Sequence, residues 1–141
     1  MYYDRWDYWL LINVVKTIAY PKLFYMPFRF EQLIIWQKAF KLSNNIDLVA
    51  QSFPRREMFN LASQIKRSAD SVVLNIAEGS TGQTKPEFKR FLNMALRSAV
   101  EVVGCTMLAK ERKYIDENQF RIIYDEYEIL CRMITKFRDS I

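Results

Sequence analysis

The cationic side chains carry the main candidate chemistry in this sequence, and they are concentrated in its middle. Residues 53–97 contain eight Lys and Arg against four Asp and Glu, in a chain of 141 residues with a net charge of +5. A guanidinium group presents a planar set of donors that suits phosphate. The pattern predicts a nucleic-acid surface that contacts phosphates without reading bases. The candidate residues flank two apolar stripes and are Lys66, Arg67, Lys85, Lys89, Arg90 and Arg97.

Other interpretations of these charges stay open. They could form a solvated helix face that only keeps the protein soluble, because most charge runs lie on such surfaces. They could also form ion pairs within or between subunits, with Asp70, Glu87 and Glu101 as partners. In that case the protein would be an oligomeric scaffold that binds proteins and makes no direct contact with nucleic acid.

Residues for catalysis are scarce. The chain contains no histidine, so it has neither the commonest general base nor a Ser-His or Cys-His pair. Its one glycine-containing loop, at residues 79–82, lacks the spacing and the lysine of a phosphate-binding loop. Glu78 and Glu101 could both point inward. In that case we expect them to be buried structural carboxylates with satisfied hydrogen bonds, and not a catalytic pair. The sequence predicts a protein without enzymatic activity, catalytic residues or cofactors.

A metal site is not predicted either. Cys105 and Cys131 are far apart and belong to no ligand motif, and two cysteines without histidine make a poor site. Both lie in apolar helical patterns, which indicates buried free thiols in a reducing compartment. A nuclease acting on ribosomal RNA would need a metal-binding carboxylate cluster, and the sequence shows none.

Hydrophobic spacing indicates four helices. Glycine (3) and proline (4) are scarce, which disfavours an all-β fold. Apolar residues recur at helical intervals over about residues 31–51, 57–78, 84–109 and 116–141. Long helices with short connections must run up and down beside one another. The prediction is an all-α, antiparallel up-and-down four-helix bundle.

Helix ends and core stripes follow from local signals. Thr84 with Glu87, and Asp116 with Gln119, have the spacing of capping boxes at the starts of the last two helices. Gly79 is expected to cap the end of the second helix. The predicted core stripe of the first helix is Leu33, Trp36, Phe40, Ile46 and Val49. The predicted stripe of the second helix is Leu61, Ile65, Ala69, Val72 and Ile76. That of the third is Phe88, Phe91, Leu92, Ala95, Ala99, Val102, Thr106 and Ala109, and that of the fourth is Phe120, Ile123, Tyr127, Leu130, Ile134, Phe137 and Ile141.

Residues 1–28 are predicted to lie outside the bundle domain of residues 29–141. Their apolar run is too short for a membrane span, and acidic residues precede it where a secretory signal is basic. We interpret them as an extension without fixed structure, or as the product of a wrongly assigned start codon with Met26 as the alternative. The expected location is the cytoplasm, without membrane contact.

Several motifs resemble one bacterial family closely. They extend over residues 31–139 and comprise Leu33-x-x-Trp36-x-Lys38-Ala39, Phe53-Pro54-x-x-Glu57, residues 64–72, Asn75-Ile76-Ala77-Glu78-Gly79, Glu87-Phe88-x-x-Phe91-Leu92 and Ser98-x-x-Glu101. The family is the "four helix bundle protein" family. It includes proteins encoded in intervening sequences of 23S ribosomal RNA genes, also called S23 ribosomal proteins, and the accessory variability determinant of diversity-generating retroelements.

The resemblance implies a homopentamer, with five bundles arranged as a tapered barrel. For the retroelement members it implies binding of RNA or DNA and of a reverse transcriptase through a basic surface. This chain departs from the pattern at Arg97, where the family often has a small residue, so the subunit contact or the basic surface could differ here. It also has Val73-Leu74 in place of a frequent Pro-Ser, which predicts a straighter second helix.

Overall fold

A computed structural model of the chain describes residues 28–82 and 84–141. Within these ranges all regular structure is helical, and four α-helices follow one another: α1 (Ile34–Gln51), α2 (Leu61–Ser80), α3 (Lys85–Glu111) and α4 (Glu117–Ser140). The predicted extension, except for Phe28, lies outside the described residues. The four predicted helices are confirmed.

The bundle is square in cross-section. α2 packs against α1 and α3, and α4 packs against α3 and α1, while the backbones of α1 and α3 do not approach each other closely. Short connections reverse the chain between successive helices, so neighbours run antiparallel. α1 and α3 therefore occupy opposite corners, and each helix turns one stripe to the common core.

Two helices begin later than their patterns predict. A 3₁₀ turn (Arg29–Gln32) precedes α1, and a second one (Arg55–Glu57) precedes α2. The second turn follows Pro54, and the Glu57 carboxylate accepts a hydrogen bond from the Leu61 amide at 3.2 Å. That carboxylate satisfies one of the free amides that begin an α-helix, and so fixes the start of α2 at Leu61.

The core confirms three stripes and corrects the fourth. The predicted apolar positions of α2 and the central positions of α3 and α4 are buried. In α1 only Ile46 of the predicted stripe is buried, while Trp36 is half-buried and Phe40 is exposed. The face of α1 that enters the core is smaller and consists of Ile35, Ala39, Leu42, Ser43, Ile46 and Ala50. The prediction followed the large aromatic residues and chose the wrong face of α1, because alanine and serine are among the residues that enter the core there.

Gly79 does not act as the predicted cap. α2 continues to Ser80, and no glycine of the chain has a positive φ angle. A Cβ atom at Gly79 would lie 2.5 Å from Phe91 Cβ and 2.8 Å from Phe88 Cδ2. Glycine is needed here because the backbones of α2 and α3 approach closely, and not because of its conformational freedom.

The two capping boxes differ. Asp116 and Gln119 form the full reciprocal pair at the start of α4, with hydrogen bonds of 2.7 and 3.2 Å. At the start of α3, Thr84 accepts a bond from the Glu87 amide at 3.3 Å, and the structure records no return bond from the Glu87 carboxylate. Both caps occur where the sequence predicts them.

Candidate nucleic-acid interface

Half of the six candidate cations lie beside the seam between α2 and α3. Ser98 Oγ donates a hydrogen bond to Ser71 Oγ at 2.9 Å, and Gln64 Nε2 donates one to Glu101 at 3.2 Å. These two contacts align residues 64–71 of α2 with residues 98–101 of α3 in antiparallel register. Small hydroxyl residues let the helices approach, and their polar groups bond to each other across the seam.

Three arginines flank this seam, and we call them the arginine strip: Arg67, Arg90 and Arg97. Arg67 lies three residues after Gln64 and four before Ser71, so it shares their face of α2. Arg90 and Arg97 are seven residues apart and share one face of α3. All three side chains are exposed, and none forms a salt bridge within the described residues. Free guanidinium groups in a row suit a polyanion.

The other three predicted cations lie elsewhere. Lys66 forms a salt bridge with Asp47 of α1 on the opposite edge of α2. The hydrogen bond between them raises the pKa of Lys66 and lowers the pKa of Asp47. Lys85 is the first residue of α3, and Lys89 is half-buried and turned roughly 100° around the helix from Arg90. The structure therefore brings together three of the six predicted residues.

Two carboxylates share the seam with the arginines. Glu78 and Glu101, which could have pointed inward, are both exposed. Glu78 follows Ser71 by seven residues and so lies on the same face of α2. These charges make the strip a mixed surface with a small positive excess. The helical spacing of residues 64, 67, 71 and 78 was the signal that could have identified this polar face from sequence.

The buried carboxylate among residues 28–82 and 84–141 is Glu57, which sequence reasoning did not identify. It accepts a hydrogen bond from the Tyr114 hydroxyl at 2.8 Å and lies 3.8 Å from an Arg112 nitrogen. The bond from Tyr114, followed by that from the Leu61 amide, holds the pKa of Glu57 below its usual range. These contacts join the α1–α2 connection to the α3–α4 connection, which indicates a role in stability.

The other reactive groups of the described residues are carboxylates and two thiols. No group of three or more Cys, Asp or Glu side chains there is placed to bind a metal ion. Cys105 is buried and Cys131 half-buried, both are free thiols, and burial raises the pKa of each. A raised pKa keeps a thiol protonated and a poor nucleophile.

The fold and the seam together define a class: a four-helix bundle protein that carries an arginine-bearing polar surface on its central helix pair. The family model for the 23S rRNA-intervening sequence protein matches residues 31–136. The chain belongs to this family, which confirms the resemblance found in its motifs. No curated protein has a detectably similar sequence.

A solved structure has the same fold. It is a protein of unknown function from the S23 ribosomal protein family of Bacteroides thetaiotaomicron VPI-5482. Its TM-score with this chain is 0.70 at 22% sequence identity, and the match covers 75% of this chain and 96% of that one. About three quarters of this chain is thus similar in fold to nearly the whole of that protein.

Proposed function

We propose that this chain is a non-catalytic, self-assembling accessory protein that binds RNA or DNA through its α2–α3 surface. The observation that carries the proposal is the arginine strip. Its three guanidinium groups are solvated, lie along one polar seam, and are not neutralised by salt bridges within the described residues. Contact would be with phosphates, because the sequence has no helix-turn-helix signature that would direct a helix to base edges.

Self-association, as the homopentamer implied by the family resemblance, is part of the proposal. Many large apolar side chains of the described residues remain exposed, among them Leu48 at 66% and Val100 at 65%. Apolar surface beyond what a monomer needs is typical of protein contacts. A ring would also multiply the arginine strip around its axis, and so raise the local positive charge that a nucleic acid meets.

The triple variant Arg67→Gln/Arg90→Gln/Arg97→Gln tests the surface. We expect it to reduce affinity for a single-stranded RNA or DNA by at least about tenfold at low salt, because each lost cation removes a phosphate contact. Fluorescence anisotropy across a salt series measures both the affinity and its slope. The parent protein should lose affinity steeply as salt rises, and the variant should show a shallower slope.

Arg121→Gln/Arg132→Gln/Lys136→Gln on α4 is the matched control, since it removes the same charge from another helix. Equal loss in both variants would show that only net charge matters and would contradict a specific surface. A parent protein that retains no RNA or DNA at low salt would contradict nucleic-acid binding altogether.

The scaffold is the second candidate, and the exposed apolar residues favour it. In that case the arginines would contact protein carboxylates, and the triple variant would break the oligomer or its complex with a partner. Size-exclusion chromatography with light scattering distinguishes the two. A reverse transcriptase gene or a ribosomal RNA gene beside this one would indicate whether a reverse transcriptase is the partner.

A further inference from the structure

Phe59 has the most exposed large apolar side chain of the described residues, at 86%. It lies in the connection between α1 and α2, and Met58 beside it is 51% exposed. Within residues 28–82 and 84–141 the Phe59 ring packs against no other aromatic ring and no cation. A ring this exposed offers a π face to a planar group of another molecule.

The connection that carries Phe59 is held firmly against the α3–α4 connection. We call this end of the bundle the tip and define it as residues 52–60 and 112–116. The rings of Phe53 and Tyr114 lie 5.6 Å apart, and the Arg56 guanidinium lies 5.8 Å from the centre of the Tyr114 ring. Arg56 also donates a hydrogen bond to the Tyr114 hydroxyl at 3.4 Å. Groups that are fixed before binding lose little freedom when a ligand arrives.

Lys113, at the tip, has a backbone conformation that is usual for glycine. Its φ angle is 62°, its amide bonds to the Lys110 carbonyl at 2.9 Å, and the Tyr114 amide bonds to the Ala109 carbonyl at 2.8 Å. This is the Schellman ending of a helix, in which glycine is the commonest residue at the position of Lys113. A side chain there is unfavourable for the backbone, so we expect the lysine ammonium group to have a role of its own.

The unpaired charges of the tip are mostly positive. Arg55, Arg56 and Lys113 are exposed, and none forms a salt bridge within the described part of the chain. The carboxylates in and beside the tip are Glu57, Glu111, Asp116 and Glu117. All of these except Glu111 are engaged in a salt bridge or a helix cap. Three cations against one carboxylate favour an anionic partner.

The tip continues the arginine strip. Asn60 follows Phe59 directly and precedes Arg67 by seven residues, so it lies on the same face of α2 about 10 Å away along the axis. The antiparallel hydrogen bonds of the seam place Arg97, and then Arg90, on the far side of Arg67 from the tip. A polyanion that follows the strip along the bundle would therefore reach the tip.

We propose that the tip is a second contact for the same nucleic acid, in which an unpaired base stacks on Phe59. Arg55, Arg56 and Lys113 contact the adjoining phosphates. This inference rests on the proposed function and specifies its ligand. A base inside a duplex is covered by its neighbours, so the tip selects a single strand. Every base has a π face, so stacking adds this preference without a preference for sequence.

The Phe59→Ala variant tests the stacking contact. We expect it to weaken binding of oligothymidylate by about fivefold to 100-fold, because one stacked base is lost. Binding of a duplex of the same length should be unchanged, and so should the salt dependence, since no charge is removed. Phe59→Trp should retain the affinity, whereas Phe59→Leu should not, because leucine keeps apolar bulk and lacks a ring. Fluorescence anisotropy measures all of these affinities.

The Arg55→Gln/Lys113→Gln variant tests the phosphate contacts and leaves the packed Arg56 in place. It should lower the slope of log affinity against log salt by about 1.4 for oligothymidylate, since each phosphate contact contributes about 0.7. Lys113→Gly separates charge from backbone. It should raise the melting temperature, because glycine suits the left-handed conformation, and still weaken binding.

Phe28→Ala is the matched control, because Phe28 is 70% exposed and lies before α1, at the opposite end of the bundle from the tip. It makes the same truncation as Phe59→Ala and should leave the affinity for oligothymidylate unchanged. Circular dichroism checks that each variant keeps its helical content.

Three results would overturn the inference. A Phe59→Ala variant that binds oligothymidylate as the parent does would exclude stacking. Equal losses for the single strand and the duplex would exclude strand selection. Binding to phosphatidylserine vesicles that requires Phe59, without any effect of Phe59 on oligothymidylate, would assign the tip to an anionic membrane surface.

The variant that removes the arginine strip keeps this inference distinguishable from the proposed function. If that variant loses affinity and Phe59→Ala does not, only the contact at the tip is wrong. If the parent protein binds neither RNA nor DNA at low salt, the proposed function itself is wrong, and the contact at the tip is wrong with it.

Discussion

The α2–α3 and α1–α4 sides of the bundle differ in how closely their helices pack. Between α2 and α3, the bare backbone of Gly79 faces Phe91, and a hydrogen bond of 2.9 Å joins Ser71 to Ser98. Between α1 and α4, the Lys38–Glu126 pair is the only side-chain hydrogen bond within the described residues, and a groove of about 530 Å³ remains.

This difference indicates a division of roles. Close packing brings the most dispersion contacts per residue, so the α2–α3 pair should contribute most to folding stability. The loosely packed α1–α4 side leaves aliphatic surface free for a contact with another molecule. The family motif at residues 75–79 combines two roles. Its glycine allows α2 and α3 to pack closely, and its polar residues lie at the seam.

The largest expected effect on stability comes from truncating a buried leucine side chain to alanine. Leu92 is 0% exposed on α3, so Leu92→Ala should lower the free energy of unfolding by about 2–5 kcal/mol. Leu48→Ala, at the rim of the groove, should change it by less than about 0.5 kcal/mol. Urea denaturation followed by circular dichroism measures both. Equal losses of stability in the two variants would contradict the difference in packing between the core and the groove rim. A loss in Leu48→Ala that depends on protein concentration would instead indicate a subunit contact.

The two glycines of α2 and α3 should respond oppositely to the same change. Gly79→Ala should destabilise the protein by about 1–3 kcal/mol, because the methyl group collides with Phe91 at its Cβ atom. Gly104→Ala should stabilise it by up to about 1 kcal/mol, because alanine favours the helix and meets no neighbour in the chain. Thermal unfolding measures both. If Gly104→Ala instead destabilises the protein, the added methyl group must collide with something outside this chain, such as a second copy.

The smallest effect is expected across the groove. Lys38 and Glu126 are partly exposed, so a double-mutant cycle with Lys38→Met and Glu126→Gln should give a coupling energy below about 1 kcal/mol. High salt should reduce it further. A coupling of several kcal/mol would show that the α1–α4 side is held as firmly as the α2–α3 side.

The success of sequence reasoning varied with the size of the core residues. In α2 the apolar positions repeat at helical spacing without competition, and the predicted stripe is the buried one. In α1, the larger hydrophobic side chains of Trp36 and Phe40 determined the predicted stripe. The smaller Ala39 and Ser43 are the residues that enter the core. Hydrophobicity alone does not show which of two adjacent faces fits a narrow space.

The candidate site shows the same limit. The sequence supplied all the cations, but helical rotation and neighbouring helices separated them. Lys66 turned toward Asp47 of α1, and only Arg67, Arg90 and Arg97 came to lie along one seam. Which charges are neutralised depends on partners that are distant in sequence.

The sequence by itself determined the number of helices, their order and most of their caps, because these depend on spacing and on side chains within a few residues of each other. Only the tertiary structure decided that Gly79 serves close packing, that the Glu57 carboxylate is buried, and that a groove opens between α1 and α4. Those features arise where helices far apart in the chain meet, and the distance between two packed backbones depends on both helices at once.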